Sequence, residues 1–167
     1  VAALSRFISR LGEKALPLYR LLRRTEHFEW TDAATAGLEE IKAILATNPV
    51  LAAPNLGEPM LLYIAATHQV VSAVLVVERE TEGHKFPLQK PVYYVSTVLT
   101  PCKSRYPHYQ KIAYAVFMAS RKLRHYFQEC SITVASEVPL NDIINNRDAT
   151  GRIAKWAIEL LPFDITY

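Results

Sequence analysis

Apolar residues recur along the first third of the chain at helical spacing. Leu4, Phe7, Ile8 and Leu11, then Leu18, Leu21 and Leu22, describe two short helices. Pro17 is expected to interrupt them, because proline removes a donor and crowds the preceding turn. Glu26 to Trp30 reads as a link. Thr31 is placed to cap a third helix, with Asp32 in its first turn. That helix carries Ala34, Leu38, Ile41, Ala43, Ile44 and Leu45 to about Thr47, and Asn48-Pro49 ends it.

The pattern then changes from helical to extended. The run 54–59, with two prolines, a glycine and an asparagine, reads as a boundary linker. Met60 to Ala66, Val70 to Glu78 and Pro91 to Thr97 read as three strands in series, the last two separated by a polar loop from Arg79 to Lys90. Short links between them predict an antiparallel meander. Tyr106 to Phe127 is the longest helical pattern, with Ile112, Val116, Ala119, Leu123 and Tyr126 or Phe127 on its apolar stripe. Ser131 to Ala135 is a fourth strand and Leu140 to Asn145 a short helix. Gly151 to Leu161 is another helix, with Ile153, Ala154, Ala157, Ile158 and Leu161 expected inward. Phe163 to Tyr167 begins a fifth strand. Three strands followed by helix–strand alternation imply an α/β fold whose mixed, roughly five-stranded sheet is covered by helices.

Composition changes this picture little. Half of the 167 residues are hydrophobic and 21% are charged, an ordinary globular balance. No apolar run reaches the roughly 18–20 residues that span a membrane. The chain begins at Val1 rather than Met and is expected to be a piece of a longer product. Cys102 and Cys130 sit in no C-x-x-C pair and near no metal-spaced histidines, so both read as reduced thiols.

Charge is more informative. The formal net charge is only +3, yet from Gly83 to Gln128 there is no Asp or Glu. Lys85, Lys90, Lys103, Arg105, Lys111, Arg121, Lys122 and Arg124 all lie in that stretch. Such an excess either attracts phosphate backbones or is a solvated helix face balanced elsewhere.

Several segments, in order, resemble a known family. Phe28-Glu29-Trp30-Thr31 and Asn48-Pro49-Val50-Leu51 are similar to the segment between a retrotransposon polymerase thumb and its RNase H-like domain. Leu62-Tyr63-Ile64 with Ser72-Ala73-Val74-Leu75 resembles that domain's first hairpin. Pro91 to Ser96 with Leu99-Thr100 resembles its third strand, and Arg121 to Phe127 the end of its long helix. The run from Asp148 to Leu160 is the most specific match. The resemblance is to the gypsy-type LTR retrotransposon Pol polyprotein, of a plant lineage whose RNase H is degenerate. It implies a thumb or connection segment over 1–55 and an RNase H-like domain, truncated at its C-terminus, over 56–167.

Active members resemble two-metal nucleases, in which four carboxylates hold two Mg²⁺ ions. Here Ala65-Ala66-Thr67 stands where the family has Asp-Ala-Ser, which puts Ala65 at the first acid position. Lys111-Ile112-Ala113 puts Ile112 at the second. Glu137 or Ser136 falls at the third, and the fourth lies beyond Tyr167. Aliphatic groups cannot ligate a hard cation. The resemblance therefore implies no bound cofactor, no intact catalytic set and no cleavage by this chain, although the parent polyprotein resembles an RNA-directed DNA polymerase/ribonuclease H. The expected role is a tether to other domains of the same polyprotein, with RNA–DNA hybrid as a further partner and no membrane. Lys103, Arg105, Lys111, Arg121, Lys122 and Arg124 are the candidate phosphate contacts. A cytoplasmic virus-like particle or the nucleus is the expected location. The competing readings are an active hybrid-cutting enzyme and an unrelated structural or interaction domain.

Overall fold

The computed structural model describes residues 2–22, 28–47, 49–83, 85–146 and 151–167. Glu26, His27, Asn48 and the Asp148-Ala149-Thr150 start of the most specific match lie outside them.

A 3-10 turn over Ala2–Phe7 leads into α1 (Leu11–Lys14) and α2 (Leu16–Leu22). Pro17 does not separate these helices. It lies in the first turn of α2, where a missing N–H is one of the unpaired donors anyway. The break falls at Ala15. α3 (Asp32–Ala46) starts where the sequence placed it: the Thr31 hydroxyl accepts from the Ala34 N–H at 3.3 Å. Its inner face is Ala34, Gly37 and Ile41, with Ile44 and Leu45 half-buried, while Ala43 is exposed. A Cβ on Gly37 would lie 2.8 Å from the Lys14 carbonyl oxygen, so only glycine lets α3 approach the end of α1 this closely. Ile8, Leu11, Ala15 and Ile41 form a small core of their own.

The sheet has strands β1 (Met60–Ala66), β2 (Val70–Arg79), β3 (Leu88–Val98), β4 (Ile132–Ala135) and β5 (Ile165–Thr166), in the order β3-β2-β1-β4-β5. The first three are antiparallel, and β1–β4 and β4–β5 are parallel. β3 begins at Leu88, inside the predicted polar loop, because Leu88, Gln89 and Lys90 continue the ladder opposite Arg79, Glu78 and Val77. A register shift between Leu75 and Val76 admits this extension. β5 is shorter than predicted, at two residues.

Between β3 and β4 lie α4 (Pro101–Ser104), α5 (His108–Lys122) and α6 (Arg124–Glu129). The single long helix expected over 106–127 is thus two, separated at Leu123, whose φ of −116° leaves the helical region. Tyr106 precedes them, since Pro107 caps α5. α7 (Leu140–Ile144) and α8 (Gly151–Leu160) follow β4. All ten residues from Lys111 to Ser120 are buried, with the sheet on one side of α5 and α7 and α8 on the other. Ile112, Val116 and Leu123 join Leu62, Leu75 and Ile132 in the main core.

α8 corrects the sequence reading. Ile158 and Leu161 are 66% and 76% exposed, whereas Trp156 and Leu160 are buried. Ile153, Trp156, Ala157 and Leu160 form the i, i+3, i+4, i+7 stripe that packs inward. Ala154, Ile158 and Leu161 formed a competing stripe, and the largest side chain decided between them. Trp156 meets Tyr114, Phe117 and Tyr106 at centroid distances of 5.6, 5.8 and 6.2 Å.

Candidate functional site

On β1, Met60 and Leu62 face α5 and are buried. Alternation then sends Tyr63 and Ala65 to the opposite face of the sheet. Ala65 pairs with Ser72 and lines a cavity of about 230 Å³ with Ser9, Arg10, Tyr63, Ser72, Val74 and Tyr94. Ile112 lies elsewhere, 1% exposed and inside the main core under the sheet. Glu137 is 72% exposed at its side chain, and its carboxylate meets His108 Nε2 at 2.7 Å. The three positions therefore do not form a donor set for a hard cation. One offers a methyl group, one a β-branched apolar chain inside the main core, and one a lone carboxylate already engaged by a histidine. Among the described residues no group of three or more His, Cys, Asp or Glu side chains could hold a metal ion.

The six candidate cations do not share a surface. Lys103 donates to the Tyr114 hydroxyl at 2.8 Å and sits 4.4 Å from that ring's centroid. Arg105 reaches back to the Pro101 carbonyl at 3.4 Å. Lys111 is 6% exposed and donates to the His68 and Thr67 carbonyls at 3.1 and 3.4 Å, so its ammonium ties α5 to the β1–β2 turn. Lys122 donates to Thr97 Oγ1 at 2.9 Å and to the Ser96 carbonyl at 3.3 Å, and desolvation pulls its pKa below the ordinary lysine value.

Arg121 and Arg124 remain together. They line one cavity of about 310 Å³ with Ser120, Glu159, Pro162 and Phe163. Arg121 is partly neutralised by Glu159 at 3.3 Å and lies 5.1 Å over the Phe117 ring. Arg124 makes no ion pair among the described residues. Sequence reasoning passed over Arg152, which lies 4.2 Å over the Tyr106 ring on the outer side of the aromatic cluster. It also passed over Arg10, which lines the same cavity as Ala65 and has no signal in the sequence because 55 residues separate them.

The segment before β1 is held by charge. Arg79 Nε and Nη2 bond the Glu58 carboxylate at 2.9 Å each, and Nη2 also reaches the Ala53 carbonyl at 2.7 Å. The guanidinium, with the Asn55 N–H, holds the Glu58 carboxyl down at a pKa of about 2.

A mixed sheet of this order, with a buried helix packed on β1 and β2, is the RNase H-like arrangement. The foamy viral protease-reverse transcriptase dRH in complex with ds DNA superimposes on it with a TM-score of 0.70, 21% identity, and coverage of 99% of this chain and 29% of that one. The same viral protein in complex with RNA/DNA hybrid gives 0.68, 21%, 98% and 22%. The family described as the RNase H-like domain found in reverse transcriptase matches residues 30–134, and the chain belongs to it.

Relatives agree. A Gag-Pol polyprotein of Koala retrovirus is 37% identical over 110 residues, 66% of this chain and 6% of that protein. The Transposon Tf2-3 polyprotein of Schizosaccharomyces pombe is 26% identical over 172 aligned positions, 96% of this chain and 12% of that protein. The chain thus spans a small part of the polyproteins it matches, and it is an RNase H-like domain of a retroviral or LTR retrotransposon Pol polyprotein.

Proposed function

We propose that this chain is a non-cleaving module of a gypsy-type retrotransposon polyprotein, of a plant lineage. It would join the polymerase, through residues 1–55, to the domains that follow and touch nucleic acid without cutting it. The observation that carries this reading is the fate of the first two acid positions. Ala65 faces a cavity with an arginine in it, and Ile112 is packed into the core. Mg²⁺ held by such groups would lack the oxygen ligands it requires. The transposon relatives favour a retrotransposon origin, and the foamy viral structures with hybrid and duplex favour a nucleic-acid neighbour.

The purified chain is expected not to cut an RNA–DNA hybrid with Mg²⁺ or Mn²⁺. Metal-dependent cleavage that persists in Glu137→Gln would overturn the proposal. For hybrid contact, Arg124 and the half-neutralised Arg121 are the groups best placed, and Lys111 is withdrawn by its carbonyl bonds. Filter binding of hybrid should weaken in the Arg121→Ala, Arg124→Ala double variant, with the logarithmic salt slope falling by roughly one to two. An unchanged affinity and slope would make this corner a solvated helix end.

A further inference from the structure

We propose that the outward face of α8 is a self-association surface, on which a second copy of this chain lays its own α8 antiparallel. Two exposed apolar side chains and one pair of opposite charges on the same helix carry the inference. It does not draw on the nucleic-acid reading, and none of these side chains lines the Ala65 cavity.

The face is apolar and uncovered. Ile158 and Leu161 are exposed, although α8 already has a complete inward stripe in Ile153, Trp156, Ala157 and Leu160. At about 100° per residue, Ala154, Ile158 and Leu161 point within about 60° of one another. Ala154 is half-buried and short, so it leaves a shallow step one turn before Ile158. Beyond Leu161 the apolar surface continues into a cavity of about 150 Å³ lined in part by Ala157, Phe163 and Ile165.

The pattern matches its own reverse. In an isologous contact, residue i meets residue j and j meets i. A two-fold axis perpendicular to the plane of two antiparallel helices, passing between Ala157 and Ile158, achieves this along the whole face. It sets Ala154 opposite Leu161 of the second copy, small against large, and places Ile158 beside its own counterpart at the centre. Lys155 then falls one residue, about 1.5 Å along the axis, from Glu159 of the second copy. Lys155 and Glu159 lie on one flank of the stripe, about 40° apart. The antiparallel two-fold keeps that flank on the same side in both copies, so the opposite charges meet in two symmetric pairs. A parallel pairing would set the charged flanks on opposite sides and leave both pairs unmade.

Both charges are available. Lys155 makes no ion pair among the described residues. Glu159 meets Arg121 at 3.3 Å, and a carboxylate has lone pairs for a second donor. The length of the helix limits the strength. Ten residues span about 15 Å, so the pair buries far less than the roughly 800 Å² per partner of a standard interface. The ion pairs are exposed and fix orientation more than affinity. The dimer is therefore weak, with a dissociation constant on the order of 0.1–1 mM. Two copies held together by other parts of a longer chain would meet at effective concentrations in about that range.

The test is equilibrium sedimentation of the 167-residue chain up to about 1 mM. The weight-average mass is expected to rise from that of one chain toward that of two. Leu161→Glu should weaken association by about tenfold or more, because it sets a carboxylate against the apolar stripe of the second copy. It should leave the melting temperature of the dilute chain unchanged, since the side chain is exposed. Lys155→Glu and Glu159→Lys should each weaken association by about threefold, by bringing like charges together. An equimolar mixture of these two variants should associate at least as tightly as the parent, because each supplies the charge the other lacks. Recovery on mixing depends on the register of the two helices, and a loss of folding in either variant would not produce it. A mass that stays at one chain up to about 1 mM, or association that Leu161→Glu leaves intact, overturns the assignment. Failure of the mixture to recover association overturns it too, because the contact would then not set Lys155 against Glu159.

Discussion

At the scale of single residues, Gly12 reports how closely the N-terminal helices sit on the sheet. Gly12→Ala would place a methyl within van der Waals overlap of Ser96 Oγ and Val70 Cγ1. Overpacking of this kind costs about 1–3 kcal/mol, so the urea midpoint should fall with an unchanged m-value. Glu58 gives a pH signature. Its carboxyl is held at about 2, below its ordinary 4.5, so its contribution to stability is present above the unfolded-state value and lost as pH falls through about 2. Glu58→Gln should therefore melt at a lower temperature than the parent at pH 7, and the two curves should converge as pH drops from about 4.5 to about 2. The cysteines differ in the same spirit. Burial pushes the Cys130 thiol up, while Cys102 is exposed. A maleimide at neutral pH should label Cys102 in the folded chain and Cys130 only after denaturation.

At the scale of elements, α8 shows how a helix chooses its face. Two apolar stripes compete in its sequence, and the one containing Trp156 is buried because an aromatic of that size covers the most surface. Trp156→Ala should cost about 3–5 kcal/mol by chemical denaturation. Ile158→Ala, on the discarded stripe, should stay within about 0.5 kcal/mol. α5 is a different case. It is buried all round, so its apolar stripe was legible but its interruption at Leu123 was not. The turn there lets α6 bend back and put Phe127 into the core, a demand made by the sheet rather than by local propensity.

At the scale of the whole molecule, the proposed loss of a metal site can be tested against the core. Ile112 is surrounded by apolar side chains with 1% of its surface exposed. Returning an acid there, Ile112→Glu, would bury a carboxylate with no partner, at a cost of several kcal/mol. The double variant Ala65→Asp, Ile112→Glu is expected to lose stability and to gain no metal-dependent cleavage of hybrid. A gain of cleavage dependent on both acids would show that the core can reopen into a metal site. On the proposed reading, the hydrophobic interior occupies the second acid position, and the core opposes the return of a carboxylate there.

What the sequence determined by itself was local or periodic. The apolar strands Met60 to Ala66 and Val70 to Glu78, the Thr31 cap and the meander follow from strand propensity, short links and capping chemistry, which act over a few residues. The lack of any carboxylate from Met60 to Val77, or in α5, was equally plain, because it needs no partner to be recognised. Tertiary structure alone decided the rest. It turned Lys111 from a surface cation into an internal tie to the His68 carbonyl. It neutralised Arg121 with Glu159, and it brought Arg10 to the rim of a cavity floored by Ala65. The physical reason is the same each time. A charge takes its role from what the fold sets within a few ångströms of it, and those neighbours lie tens of residues away along the chain.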